Sequence, residues 1–294
     1  MSEVAVTSPL DSADARLVMD FAELIRRACG MSFGEERLTW LHSRLQDAAA
    51  LEGFSHLADY YRSLLAVASW NHPRFARLAE QIITDKSSWF RYPEHFATLQ
   101  NFCFPALAES RQAEGGGEIR ILSAGCSRGQ EPYSIALAIA QTEDLPRGVS
   151  WKIDAVDLSG FNVEYTARGE YSEPEMEGLA PALLSRAFEQ RGGRWRLRDA
   201  FRQGIDVWRH NLLEPLPEKV YDIIFCRNVT IYFQPETTRR VVTHLMDRLR
   251  PGGYFFAGHA ESYRQMSYPL RLLDVGGSLV YRKMHQTPGR VASA

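Results

Sequence analysis

Acidic, amide and guanidinium side chains recur just beyond apolar stretches of this chain: Glu131 after residues 119–124, Asp157 after 151–156, Asn211 after 205–208, and Arg227-Asn228 after 222–226. Open α/β sheets bind ligands at the carboxyl ends of their strands, so groups spaced in this way converge on one crevice. A carboxylate closing the second strand, here Asp157, accepts hydrogen bonds from ribose hydroxyls. The amide of Asn211 is able to read an adenine edge. Asp157 or Asn228 could equally be a turn residue, since a buried polar side chain needs partners in any case.

The elements that must position these groups begin with residues 119–134, IRILSAGCSRGQEPYS. A short apolar run, a glycine turn and an amphipathic run follow one another, which predicts strand, turn and helix. Gly125 and Gly129 let the backbone bend tightly and approach a ligand without Cβ clashes. Glu131-Pro132 opens the helix, where the missing proline N–H is no loss. Cys126 reads as a small buried thiol. Upstream, Ser87 is expected to cap a helix beginning at Trp89, with Trp89 and Phe90 anchoring it in the core. Arg91 then lies one turn in, as a partner for a carboxylate or as a surface arginine.

Apolar positions recur at three and four from Ala15 to Ile83, which predicts a helical module. Its expected boundaries are 16–86, after a disordered tail over 1–15. Residues 87–117 are expected as a linker helix and loop, ended by Glu114-Gly115-Gly116-Gly117, and 118–285 as the α/β domain, followed by a disordered tail over 286–294. Alternating strands and helices from 119 onward predict a doubly wound, mostly parallel sheet, with 278–283 as a last edge strand. The alternation within about 188–210 predicts a small antiparallel β-subdomain, either a strand-docking edge or a decoration.

The 294 residues carry 34 basic and 36 acidic side chains, a net charge of −2, so a nucleic-acid or anionic-membrane partner is not expected. No apolar run approaches the ~20 residues of a membrane span. Four cysteines without a CxxC pair indicate neither a metal site nor a disulfide frame, and a reduced cytoplasmic enzyme is the default.

Taken together, DKSSWFR (85–91), GCSRGQEPYS (125–134), the Asp157 strand end, NLLE (211–214), FCRNVTIYF (225–233) and PGGYFFAGHAES (251–262) resemble the chemotaxis receptor methyltransferase (CheR) family, in the family's order from about residue 15 to 283. The resemblance implies a helical domain linked to an S-adenosylmethionine-binding α/β domain with a small β-subdomain. It implies methyl transfer from S-adenosylmethionine to glutamates of membrane chemoreceptors, leaving S-adenosylhomocysteine, with the receptors' cytoplasmic domains and chemosensory pathway proteins as partners. The family's cofactor positions fall on Asp85, Ser87, Arg91, Glu131, Asp157, Asn211, Leu212, Arg227 and Asn228, with Tyr232 beside the reacting methyl. Arg91 and Tyr232 are the implied catalytic pair.

The chain departs from that pattern at Asp85 and Ser87, where the family usually shows Asn and Thr. Ser87 keeps the hydroxyl; Asp85 loses two amide donors and adds a negative charge. Gln130 replaces a frequent Glu and is expected at the surface. A short turn after Phe188 points to partners recognised without a receptor's C-terminal pentapeptide. Asp85 also motivates an alternative: a catalytically weakened S-adenosylmethionine-binding regulator or scaffold. A nicotinamide oxidoreductase would share the sheet but not CRNV-IYF or GxEPYS.

Overall fold

The computed structural model describes residues 12–67, 69–83, 87–142, 145–264, 266 and 268–285. It divides into two compact units, Met1–Thr84 with Tyr232–Thr238, and Asp85–Ile231 with Arg239–Ala294.

The first unit is built from α1 (Ser12–Cys29), α2 (Leu38–Leu51), α3 (Leu57–Val67) and α4 (Pro73–Ile82). Spacing of three and four puts Val18, Phe21 and Ile25 on one buried face of α1, and Leu41, Leu45, Tyr60, Leu64, Phe75 and Leu78 on the buried faces of the other three helices. Pro73 occupies the first turn of α4 and His72 Nδ1 accepts from the Arg74 amide, so His72-Pro73 starts that helix. The helix α1 begins at Ser12, inside the stretch expected as tail, with Asp14 in its first turn. Residues 1–11 and 286–294 lie outside the described residues.

The second unit starts with α5 (Pro93–Thr98) and α6 (Phe104–Ala113), joined by a π turn over Leu99–Cys103. These are core helices rather than a linker. Phe96, Leu99 and Phe104 are buried in one cluster with Ile119, Ile121, Ile135, Ile139, Ile223 and Phe225. Next come β1 (Gly117–Ala124), α7 (Gln130–Ile139), β2 (Val149–Asp157), α8 (Gly160–Arg168), β3 (Glu170–Tyr171), α9 (Pro181–Ala187), β4 (Phe188–Arg191), β5 (Arg194–Leu197), α10 (Asp199–Arg202), β6 (Ile205–Arg209) and β7 (Tyr221–Cys226). The unit closes with α11 (Pro235–Arg248), whose first residues count with the helical unit, and β8 (Leu249–Ala257), β9 (Leu270–Val275) and β10 (Ser278–Lys283).

The main sheet has the order β6-β2-β1-β7-β8-β10-β9, parallel from β6 to β8 and antiparallel at β10 and β9. Buried on both faces, β7 reads as an unbroken apolar run apart from Asp222. Two sequence expectations change here. Segment 278–283 is an interior strand, because 270–275 folds back antiparallel outside it and takes the edge. Segment 205–209 belongs to the main sheet, in parallel register with β2 from Ile153↔Ile205 to Asp157↔Arg209. The separate antiparallel sheet is β3-β5-β4 alone. Its apolar face, Tyr171, Phe188 and Leu197, closes on Trp89 and Tyr133.

Candidate functional site

The turn after β1 is shaped by backbone that only certain residues tolerate. Gly125 and Gly129 have φ of 79° and 92°; a Cβ on Gly125 would lie 2.5 Å from Val229 Cγ2, and one on Gly129 2.8 Å from Thr166 Cγ2. The amides of Gly125 and Cys126 donate to the Val156 carbonyl (2.8 and 2.9 Å), which ties the turn to the end of β2. There the Asp157 carboxylate accepts from Ser127 N (2.8 Å) through one oxygen. Through the other it accepts from Ser159 N (2.9 Å) and Asn162 Nδ2 (3.2 Å). The carboxylate is therefore held directly under the glycine turn. Gln130, expected at the surface, is buried, because all ten residues of α7 are.

At the end of β6 the His210 amide donates to the Asp157 carbonyl (2.9 Å), bringing the third strand end to the second. Asn211 Oδ1 accepts from Leu213 N (3.1 Å), so its carboxamide oxygen shapes the turn while the side chain stays buried. The Leu212 carbonyl lies 3.2 Å from His244 Nδ1. Burial lowers the pKa of His210, which favours the neutral ring. Among the described residues, Ser127 Oγ, Gln130 Oε1 and His210 Nε2 are buried polar atoms with no hydrogen-bond partner.

Glu131 and Arg227 meet each other. Glu131 Oε2 accepts from Arg227 Nε at 2.7 Å, and Oε1 accepts from Ser123 Oγ at 2.7 Å. The Arg227 side chain is only 3% exposed; its Nη1 donates to the Arg91 carbonyl (2.5 Å), and the guanidinium lies 5.0–5.5 Å from the rings of Tyr92, Phe96 and Phe225. One buried ion pair thus joins the start of α7, the end of β7 and the turn before α5.

That turn, Trp89–Tyr92, differs from the expected helix. Tyr92 precedes Pro93, which disfavours the right-handed helical region there; it adopts φ 62°, and α5 begins only at Pro93. Ser87, half-buried, therefore caps no helix at Trp89. Trp89 and Phe90 do anchor the segment. Trp89 Nε1 donates to the Glu175 carbonyl (2.8 Å), its ring meets Tyr171 and Phe188 edge-on, and Phe90 N donates to Ser134 Oγ (3.0 Å). Arg91 is half-buried, its guanidinium 5.4 Å from the Tyr92 ring. Asp85 lies outside the described residues.

The fourth strand end turns at Asn228, φ 59°, whose Nδ2 donates to Tyr92 Oη (3.1 Å). Tyr92 in turn stacks on His259 (3.9 Å), which is 2.8 Å from Glu94 Oε1. Every left-handed non-glycine among the described residues, Phe90, Tyr92, Ser127 and Asn228, sits at these turns. Strain of this kind costs about 1–3 kcal/mol per residue and persists where surrounding contacts over-determine it. Glu94, His95 and His259 bring one potential ligand atom each within 4.8 Å of one another. A cation there would face Arg227, whose Nη1 is 3.4 Å from His95 Nδ1. Burial first, and then the Arg227 charge, lower the His95 pKa to about 4.

Tyr232 ends the 3₁₀ turn Thr230–Tyr232 and counts with the helical unit. There its carbonyl accepts from Ser32 N (2.9 Å) and Oγ (3.0 Å), and the Arg37 guanidinium lies 6.0 Å from its ring. The second unit therefore gathers Arg91, Glu131, Asp157, Asn211, Arg227 and Asn228 around adjacent strand ends. Sequence reasoning passed over Tyr92, His210 and Glu261. Glu261 stood within the quoted PGGYFFAGHAES and His210 immediately before NLLE, but nothing local distinguished them.

The family model described as "CheR methyltransferase, SAM binding domain" matches residues 85–275. Chemotaxis protein methyltransferase 1 of Pseudomonas aeruginosa is 31% identical over 274 residues, covering 89% of this chain and 96% of that protein. Chemotaxis protein methyltransferase Cher2 of Pseudomonas putida is 31% identical over 272 residues, with the same coverage of 89% and 96%. The probable biofilm formation methyltransferase WspC of Pseudomonas aeruginosa is 34% identical over 217 residues, 72% of this chain and 50% of that protein.

Proposed function

Since the chain belongs to the CheR methyltransferase family, we propose that it methylates glutamate side-chain carboxylates on the cytoplasmic domains of membrane chemoreceptors, within a chemosensory pathway. The observation that carries this reading is the Asp157 carboxylate held under the Gly125–Gly129 turn by the Ser127 amide, within the matched cofactor-binding region. The residues fit S-adenosylmethionine. Among the described residues, Ser127 Oγ, Gln130 Oε1 and His210 Nε2 are buried polar atoms without partners near the strand ends, and Asp157, a carboxylate closing the second strand, suits ribose hydroxyls.

When bound, S-adenosylmethionine would supply a sulfonium methyl for in-line attack by a carboxylate oxygen, the O–C bond forming as the S–C bond breaks and S-adenosylhomocysteine leaves. The acceptor glutamate, with a pKa near ~4.3, is ionised at neutral pH, so the protein need provide no general base. Its work is alignment, which can be worth ~7–11 kcal/mol, and exclusion of water that would stabilise the separated charges. Arg91 and Tyr232 orient the carboxylate in this reading; over-tight pairing at Arg91 would stabilise the ground state and slow the step. Asp85, Ser87, Asn211, Leu212 and Asn228 complete the cofactor contacts, and the Glu131–Arg227 pair fixes the strand ends that carry them. Among the described residues no helix is long and apolar enough to cross a membrane. The similarity to WspC, a probable biofilm formation methyltransferase, supports a pathway whose output is biofilm formation as well as one whose output is chemotaxis.

The test is transfer of tritiated methyl from S-adenosylmethionine to receptor-containing membranes. Alkali-labile label released as methanol, and lost when the receptor's modified glutamates are replaced by alanine, is expected. Alkali-stable label would overturn the carboxylate assignment. Cofactor binding without label on any receptor would favour the regulator reading.

A further inference from the structure

We infer that Glu261 is a positioning residue of the cofactor site, acting through the turn that carries Asn228. The buried Glu261 carboxylate accepts from three consecutive amides, Asn228 N (2.7 Å), Val229 N (3.1 Å) and Thr230 N (2.8 Å). It also accepts from Thr230 Oγ1 (2.8 Å) and from Gly258 N (2.8 Å). Successive amides that converge in this way form a concavity that binds an anion. Here the chain fills that concavity with its own side chain, and one carboxylate staples the carboxyl ends of the neighbouring parallel strands β7 and β8. The fit is close: a Cβ on Gly258 would lie 2.6 Å from Glu261 Oε2 and 2.9 Å from Asn228 N, so only glycine admits the carboxylate.

The consequence falls on Asn228. Its left-handed backbone is costly for a residue with a side chain, though asparagine tolerates it better than most, and contacts from outside the turn must hold it there. Without the carboxylate, three amides, that of Thr230 buried and those of Asn228 and Val229 partly so, would converge with no acceptor, and the turn would open to find partners. Asn228 Nδ2 would then leave Tyr92 Oη, and the side chain would leave the crevice formed by the strand ends. Glu261 touches neither cofactor nor acceptor in this account; it sets the backbone that presents Asn228. The inference rests on the cofactor reading of that turn and is independent of which protein is methylated.

Isothermal titration with S-adenosylhomocysteine separates positioning from stability, because affinity and stoichiometry are read independently. Glu261→Gln, which keeps the volume but turns an NH2 towards the amides, should raise Kd about tenfold or more with stoichiometry near one. Lower stoichiometry with wild-type Kd in the folded fraction would mean a merely structural residue and would overturn the inference. If Glu261→Gln does not fold, Thr230→Val removes one donor and leaves every amide in place. A rise in Kd of about two- to threefold supports the inference, and an unchanged Kd overturns it. In an Asn228→Gly background, where the left-handed backbone is free, Glu261→Gln should add less than it does alone; strict additivity would place its action elsewhere. Wild-type protein that bound no S-adenosylhomocysteine would remove the cofactor reading itself, a result distinct from all of these.

Discussion

Glu131→Gln should destabilise the α/β unit far more than its conservative appearance suggests. In the native pair the Arg227 side chain is 3% exposed and Glu131 11%, at 2.7 Å, with Ser123 Oγ and the Arg91 carbonyl completing the set. Glutamine can keep the Ser123 hydrogen bond, but it leaves the guanidinium buried among Tyr92, Phe96 and Phe225 without a counter-charge. Removing one partner of a buried pair costs about 3–5 kcal/mol, most of it the uncompensated charge. The neighbouring aromatic faces return part of this, about 0.5–2 kcal/mol, so a loss of about 3 kcal/mol is expected. At about 2–4 °C per kcal/mol for a unit of this size, Tm falls by roughly 6–12 °C. Urea unfolding at neutral pH measures it, with Arg227→Met and the double variant closing the cycle. The double variant should recover much of the loss, because it removes both charges together and leaves an apolar side chain among aromatic rings. A Glu131→Gln loss below about 0.5 kcal/mol, or strictly additive single effects, would refute the pairing as the reason these residues are buried.

Acid should weaken the fold through His95. Its pKa is lowered from 6.5 to about 4, so between these values the unfolded chain binds the proton and the native chain does not. The resulting stability is intact above pH 6.5 and is lost as pH falls towards 4, by about 2 kcal/mol between pH 7.5 and 5. His95→Phe should flatten that part of the urea-unfolding pH profile, and an unchanged profile would remove His95 as its source. Gly125→Ala adds a Cβ at φ 79° within 2.5 Å of Val229 Cγ2 and should cost about 1–3 kcal/mol together with S-adenosylhomocysteine affinity; calorimetry reading wild-type affinity would refute the close-approach argument. All four cysteines are buried and burial raises each thiol pKa, Cys29 to about 12. Native protein should therefore resist iodoacetamide at pH 8 and take up four labels only after unfolding.

Residues 117–139 were legible in the sequence because strand, glycine turn and proline-started helix are each set by near neighbours. The same holds for the helical repeat of three and four from α1 to α4, and for the apolar run of β7. The polar residue that closes a strand was legible too: Asp157 and Asn228 announce themselves by standing where an apolar run stops. The start of α5 was misjudged although its signal was local, for the restriction that Pro93 imposes on Tyr92 outweighs the cap that Ser87 offered. Tertiary structure decided the rest. Periodicity carries no information about which strand lies beside which, so 205–209 looked like part of the β-subdomain until its register with β2 put it in the main sheet. Gln130 looked like a surface residue until α7 was covered along its whole length. Glu131 and Arg227, 96 residues apart, and Glu261 with the amides of Asn228, Val229 and Thr230, are partners only because parallel strands bring their carboxyl ends together. The sequence by itself therefore determined the kind of site, a glycine turn and polar strand ends in an α/β sheet. Only the folded chain decided which charges meet, because electrostatic pairing and amide satisfaction depend on distance through space, and that distance is set by sheet order.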